Sequence, residues 1–331
     1  MNLICFDIEG PLAPQDNAYD LMKLFPNGDK IFEVISKYDD LLTLEGRENY
    51  EPGDTLALIV PFLAYHGIKE KQIGIMGQRA ALTPGASELV SKLKMHGWQV
   101  FCASTSYEQY AMGIVQRLGI PVPNVACTSF PLNRISRLLS QDDRTLLAQM
   151  EKQIMNLSPM LDDDAIKELL DHFYWQELPQ KHSAVSSQLS EVKPIGGSRK
   201  VKALEHFATK MGESLSHWVV VGDSITDFKM LQAVDNAGGL AISFNANEYA
   251  LPYSTMSLAS TRLDDLWMIL ETWNKINRST VEKIVKEKEE IGGKGNRGYF
   301  HWLAGVNDIT QPLEIHHRIR HLVRKEAAKL G

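Results

Sequence analysis

Along the chain, short apolar runs alternate with segments of helical spacing. Leu3–Phe6, Gln99–Ala103, Val125–Ser129, Trp218–Val221 and Leu240–Phe244 are each apolar, brief and followed by small or polar turn residues. That pattern predicts five buried strands of a parallel sheet. Ala86–His96, stopped by Gly97, and Glu108–Leu118, stopped by Gly119 and the Pro121/Pro123 pair, read as helices between strands, as does Thr226–Ala233. The alternation predicts an α/β fold: an open, parallel Rossmann-like sheet with helices on both faces.

Two long stretches break the alternation. Residues 15–83 hold helical patterns at Leu21–Leu24, Asp29–Tyr38 and Thr55–His66, and residues 134–196 hold "RTLLAQMEKQIMNL" and "DDDAIKELLDHFYW". Both are too long for loops and are expected to be helical, cap-like insertions. The core is then expected from 1–14, 84–133 and 197–261, with a helical extension over 262–331. In that extension the last helix, "LEIHHRIRHLVRKEAAKL", has Ile315, Ile319, Leu322 and Val323 on one stripe. The expectation is a docked apolar stripe with a solvated basic face, which leaves a protein partner on the tail possible.

Composition narrows the function classes. The chain has 331 residues, 44% hydrophobic and 23% charged, with a net charge of −6. These values fit a globular protein and give no general attraction to nucleic acid or to an anionic membrane. No apolar run reaches the about 18 residues of a membrane helix, and no secretory leader pattern is seen. Cys5, Cys102 and Cys127 all fall in strand-like runs, which fits reduced core thiols and a cytoplasmic location.

The chemistry gathers at strand ends. "NLICFDIEGPLA" delivers Asp7 and Glu9 at the end of the first strand, "VFCASTS" delivers Ser104 and Thr105 after the second, and "VVVGDSITD" delivers Asp223 and Asp227 after the fourth. In an open parallel sheet, ligands collect outside these carboxyl ends. So many carboxylates need a cation, and hard oxygens with a phosphate and waters suit Mg²⁺. Ser104–Ser106 are expected to open a helix and to favour a phosphate. Lys200, in "SRKVK", offers a fixed positive charge. Each has a plainer reading: strand-end acids, a capping serine, a solvated helix lysine, turn aspartates.

The four motifs "FDIEGPL", "VFCAS", "SRKVK" and "VVVGDSITD", in that order, resemble the haloacid dehalogenase superfamily of aspartate-nucleophile phosphatases. Within it they are similar to the phosphoserine-phosphatase-like branch, which carries a helical cap after the first strand. The phosphoserine:homoserine phosphotransferase group there also has an Asp-x-Glu-Gly first motif. The layout further resembles an archaeal and anaerobe group described as energy-converting hydrogenase-associated subunit R. The resemblance implies a Mg²⁺-dependent phosphatase acting on a small phosphorylated metabolite, with Asp7 as nucleophile. It implies Mg²⁺ held by Asp7, the Glu9 carbonyl and Asp223; Glu9 as general acid and base; Ser104 and Lys200 on the phosphoryl group; and Asp227 and Thr105 in support. Arg47, in "LTLEGREN", is either a cap residue reaching a substrate carboxylate or second phosphate or an exposed loop arginine. A phosphotransferase to an alcohol, and a non-catalytic subunit of a larger complex, stay open beside it.

Two tempting patterns carry less. "IGGKGNRG" lacks the first glycine and the hydroxyl residue of a phosphate loop. His316, His317 and His321 read as surface histidines.

Overall fold

A computed structural model of the chain describes residues 2–180, 191–275, 278–291 and 298–324. Most of "IGGKGNRG" lies outside them. Seven strands form one sheet: β1 (Asn2–Phe6), β2 (Trp98–Tyr107), β3 (Val125–Thr128), β4 (Trp218–Gly222), β5 (Leu240–Phe244), β6 (Met256–Ala259) and β7 (Tyr299–Trp302), in the order β3-β2-β1-β4-β5-β6-β7. The first six run parallel, and β7 is antiparallel to β6. The five expected strands are present. The two added at the edge, "MSLA" and "YFHW", are short and do not alternate cleanly, so they give no distinct signal in the sequence.

Side-chain alternation builds a core on each face. Leu3 and Cys5 of β1 join Phe101, Ala103 and Val220 in one buried cluster, while Ile4 and Phe6 join Val100, Cys102, Val219 and Val221 in the other. The larger cluster also contains the helices of residues 15–83: α1 (Asn17–Met22), α2 (Gly28–Leu44), α3 (Thr55–Leu58), α4 (Val60–Tyr65) and α5 (Glu70–Arg79). Next come α6 (Ala86–Met95) and α7 (Glu108–Arg117), which flank β2 in sequence.

The second long connection holds α8 (Leu132–Leu138), α9 (Gln141–Ile154) and α10 (Asp163–His172), which continues into a π turn over Phe173–Glu177. It packs on the first one. Phe62 meets Phe173 at 6.3 Å between ring centroids, and the Tyr174 hydroxyl donates to the Leu58 carbonyl at 2.7 Å. Further helices among the described residues are α11 (Ser198–Met211), α12 (Phe228–Asn236), α13 (Trp267–Lys275), α14 (Arg278–Ile291) and α15 (Thr310–Arg324). Among the described residues no helix is long and apolar enough to cross a membrane.

Two local expectations are corrected. The strand that was to end near Ala103 runs on to Tyr107, and α7 begins only at Glu108. Ser104–Ser106 therefore lie on strand, not at a helix start. They sit in a bulge: Ala103 pairs with Ala126 but Tyr107 with Thr128, so β2 spends more residues than β3 between these pairs. The last helix also turns the other way. His316 and Arg320 are buried while Leu322 is 65% exposed. Its buried stripe is polar, and the cause lies in the site below.

Candidate functional site

Asp7 continues the odd-numbered face of β1, the face on which α11 lays Leu204 and Phe207. That geometry brings Lys200, one turn before Leu204, under the end of β1. Lys200 is fully buried. Its ammonium has three donors, and three acceptors meet them: Asp7 Oδ2 at 2.7 Å, Asp227 Oδ1 at 2.7 Å and Thr226 Oγ1 at 3.1 Å. Its neighbours in "SRKVK" go elsewhere, Arg199 to Asp54 and Lys202 to solvent.

Asp7 is 3% exposed, and its Oδ1 accepts the Ile8 N–H at 2.6 Å. Burial pushes its carboxyl up to about 7, with Lys200 pulling the other way. Burial also opposes the charge on Lys200, but Asp227 and Asp7 outweigh it and hold the ammonium protonated. The second carboxylate oxygen of Asp227 accepts the N–H groups of Asp223 (3.0 Å) and Ser224 (3.2 Å). Asp227 thus fixes both Lys200 and the turn that carries Asp223. Asp7, Asp223 and Asp227 each offer a carboxylate oxygen within 4.8 Å of the others.

Gly10 explains the "EG" of the first motif. Its φ is +90°, and a Cβ there would fall 2.3 Å from the Asp223 Cγ. Only glycine lets the β1 loop approach Asp223 so closely. Glu9, partly buried, turns back along this loop. Its Oε1 accepts the Asn17 backbone N–H at 2.8 Å and the Asn17 side-chain amide. Burial, followed by the charge of Asp16, raises Glu9 to about 8, against the Asn17 hydrogen bonds. A carboxyl that holds its proton near neutral pH matches a proton-transfer role.

Asp7, Glu9, Thr105, Asp223 and Thr226 line one cavity together with Gly53, Asp39 and Asp40 from the first insertion. Ser104 is buried beside it. Its Oγ donates to Ser106 Oγ at 3.2 Å and accepts the Ser106 N–H at 3.3 Å. Thr105, whose hydroxyl donates to the Ile195 carbonyl at 3.1 Å, is the bulge residue on the cavity wall. Arg47 is not brought there. It grips Asp171 through Nη1 (2.6 Å) and Nη2 (2.9 Å) and pairs with Glu45, joining the two insertions.

Several site residues had not been singled out in the sequence. Gly53, at φ +91°, lays its loop against the methyl groups of Thr105 and Thr226. On either side of it, Glu51 binds Lys229 (2.8 Å) and Ser198, and Asp54 binds Arg199. Arg320 and Arg324 reach Asp223 from α15. The i, i+4, i+8 spacing of His316, Arg320 and Arg324 is visible in the sequence, but buried arginine is rare enough that a solvated face is the ordinary expectation.

The carboxyls of the cavity have a consequence for stability. Burial raises Asp39 to about 7, as it raises Asp7 and Glu9. Unfolded carboxyls titrate near about 4. Between these values the folded state binds more protons than the unfolded state, so this contribution is full below about pH 4 and fades as pH rises through 7 to 8. In EDTA, the melting temperature should therefore fall between about pH 6 and pH 8.5. A melting temperature that rises across this window would contradict the burial of these groups.

The fold is of the haloacid dehalogenase type, and the solved structures that share it include a phosphoserine phosphatase. A solved gene product of Archaeoglobus fulgidus is 27% identical, with a TM-score of 0.86 over 100% of this chain and 99% of that one. A phospho-aspartyl intermediate analogue of phosphoserine phosphatase has a TM-score of 0.51 at 19% identity, over 81% of this chain and 97% of that one, a likeness of fold. Human phosphoserine phosphatase is 28% identical over 124 residues, 37% of this chain. The chain spans about half the length of that relative (51%). No family model matches the sequence.

Proposed function

We propose that the chain is a phosphatase that cleaves a small phosphorylated metabolite through a phospho-enzyme formed on Asp7. The observation that carries this reading is the Asp7–Lys200–Asp227 cluster, a buried carboxylate at a strand end whose ammonium partner is fully buried and shared with one supporting acid and the Thr226 hydroxyl. An Oδ of Asp7 attacks phosphorus, the bond to the leaving oxygen breaks, and an aspartyl phosphate results. Glu9 gives its proton to the leaving oxygen. It then takes one from the water that attacks the aspartyl phosphate, which returns Asp7 as a carboxylate. Lys200 balances charge on Asp7 as the phosphoryl group arrives, and the hydroxyls of Thr105 and Thr226 on the cavity wall are donors available to that group.

The donor set fits Mg²⁺. Hard carboxylate oxygens of Asp7 and Asp223 come close together, and Gly10 keeps the space between their loops free of a side chain. Asp7 and Asp223, with the Glu9 carbonyl as the resemblance implies, would hold the ion. When bound, it neutralises phosphate charge and aligns the group for displacement. The first insertion lines the cavity through Phe32, Asp39 and Gly53, and the second packs on the first; both are proposed as caps that exclude water.

A panel of phosphorylated metabolites, assayed with Mg²⁺ and with EDTA, tests this function. Phosphate release from at least one compound, abolished by EDTA and restored by Mg²⁺, is the expected result. Release that persists undiminished in EDTA removes the metal from the reading. Addition of an alcohol acceptor that yields a new phosphoester, rather than more phosphate, would make the chain a phosphotransferase instead.

A further inference from the structure

Helix α15 turns three polar side chains inward, and together they bind both loops that carry the acids. His316 is fully buried, and its Nδ1 accepts the Ala246 N–H at 2.8 Å. Arg320, 3% exposed, donates through Nη1 to the carboxylate of Asp223 and to the carbonyls of Asp223 (3.3 Å) and Asn245 (3.1 Å). The Arg324 side chain, 7% exposed, donates from Nη1 to the same Asp223 oxygen at 2.7 Å and from Nε to the Pro14 carbonyl at 3.1 Å. Two guanidinium groups therefore converge on Oδ2 of one carboxylate, and that carboxylate lies in the cavity beside Asp7.

Such an arrangement is a costly way to dock a helix. Buried ion pairs recover little net stability, and apolar residues of similar volume often serve as well or better. Two like charges side by side add repulsion, which the shared anion relieves. The same anion is the one that, on the reading above, holds the divalent cation. A cation at Asp223 would face two positive charges fixed a few ångströms away in a poorly solvated place, where screening is weak.

We propose that Arg320 and Arg324 are tethered counter-cations that compete with a divalent metal ion for Asp223, so that docking of α15 and metal binding oppose each other. The proposal rests on the reading of Asp7 and Asp223 as metal ligands. Coupling of this kind is reciprocal: whatever the helix takes from metal affinity, the metal takes from helix docking. The arginines act through Asp223 and are positioning residues. Their effect is to keep metal affinity low and to make the C-terminal helix responsive to metal.

The test uses the full chain and Mn²⁺ as probe, with free Mn²⁺ read by electron paramagnetic resonance. Arg324→Gln should bind Mn²⁺ about tenfold more tightly than wild type, within the usual span of coupling between sites. In wild type, Mn²⁺ should also speed hydrogen exchange of the amides of Ile315–Arg324, a readout that needs no variant and decides the matter if Arg324→Gln fails to fold. Equal or weaker Mn²⁺ binding by a folded Arg324→Gln, or slower exchange in α15 with Mn²⁺, overturns the proposal. If wild type binds Mn²⁺ and Asp223→Asn abolishes binding, such a failure leaves the metal site standing. If neither wild type nor Arg324→Gln binds Mn²⁺, the metal reading falls together with the competition.

Discussion

Asp7→Asn should lower phosphate release by at least about 10³-fold on any substrate the panel identifies, with the fold retained. Both carboxylate oxygens of Asp7 receive donors, Oδ1 from Ile8 and Oδ2 from Lys200. An asparagine supplies one oxygen and one amide, so one of these donors meets another donor. That mismatch is local, and the loss of a buried charge offsets part of it. Stability should therefore move by no more than about 1–3 kcal/mol, the scale of one unsatisfied buried group. Activity responds differently, because an amide cannot serve as the nucleophile. Turnover at near wild-type rate by Asp7→Asn would remove the aspartyl phosphate from the mechanism and leave the fold untouched. Circular dichroism and a single-turnover assay separate the two effects.

Lys200→Met should be the most destabilising single change in the site. Methionine fills a similar volume, so the buried space that Lys200 occupies stays largely filled. What goes is the ammonium that pairs with both Asp7 and Asp227. Two buried carboxylates would then face each other without a counter-charge. Removing one partner of a buried ion pair typically costs about 3–5 kcal/mol. The carboxyls have an escape, which is to bind a proton. The loss should therefore be largest at high pH and shrink as pH falls through 6, so a stability difference that is flat from pH 5 to 9 would count against the charge balance described here. Added Mg²⁺ should restore part of the stability by supplying positive charge on Asp7. Phosphate release should be lost at every pH.

Much of the core was readable because the rules that produce it are local. An apolar run that ends in Asp7, or in Gly222–Asp223, marks a buried strand whose tip is polar, and three such tips in a parallel sheet must share an edge. Odd and even positions set the face that Asp7 takes, whereas the side of Lys200 depends on how α11 packs, which strand parity does not report. What was not readable depends on partners distant in sequence. Ser104–Ser106 look like a capping run, yet the bulge against Ala126–Thr128 keeps them extended. Arg47 looks like a free cap arginine until Asp171 arrives from the other insertion. Arg320 and Arg324 look solvated because a helix periodicity reports which residues share a face, and the apolar face of α15 seemed the obvious one to bury. Their acceptor, Asp223, is about 100 positions earlier, and no periodicity reports it.

The sheet order has a consequence for how such a site comes into being. β1 is the earliest strand of the seven and sits between β2 and β4, which begin at Trp98 and Trp218. During synthesis, Asp7 must wait for more than half of the chain before the strand bearing it gains its second neighbour, and longer still for Arg320. Contacts of such long range are slow to close. A growing chain on the ribosome can therefore pair β1 with β2 and pack one face well before Asp7 has its ammonium or Asp223 its guanidinium groups. Until then the acids stand unbalanced, and a nascent or clipped fragment would hold a half-sheet with no working centre, a natural substrate for chaperones or proteases.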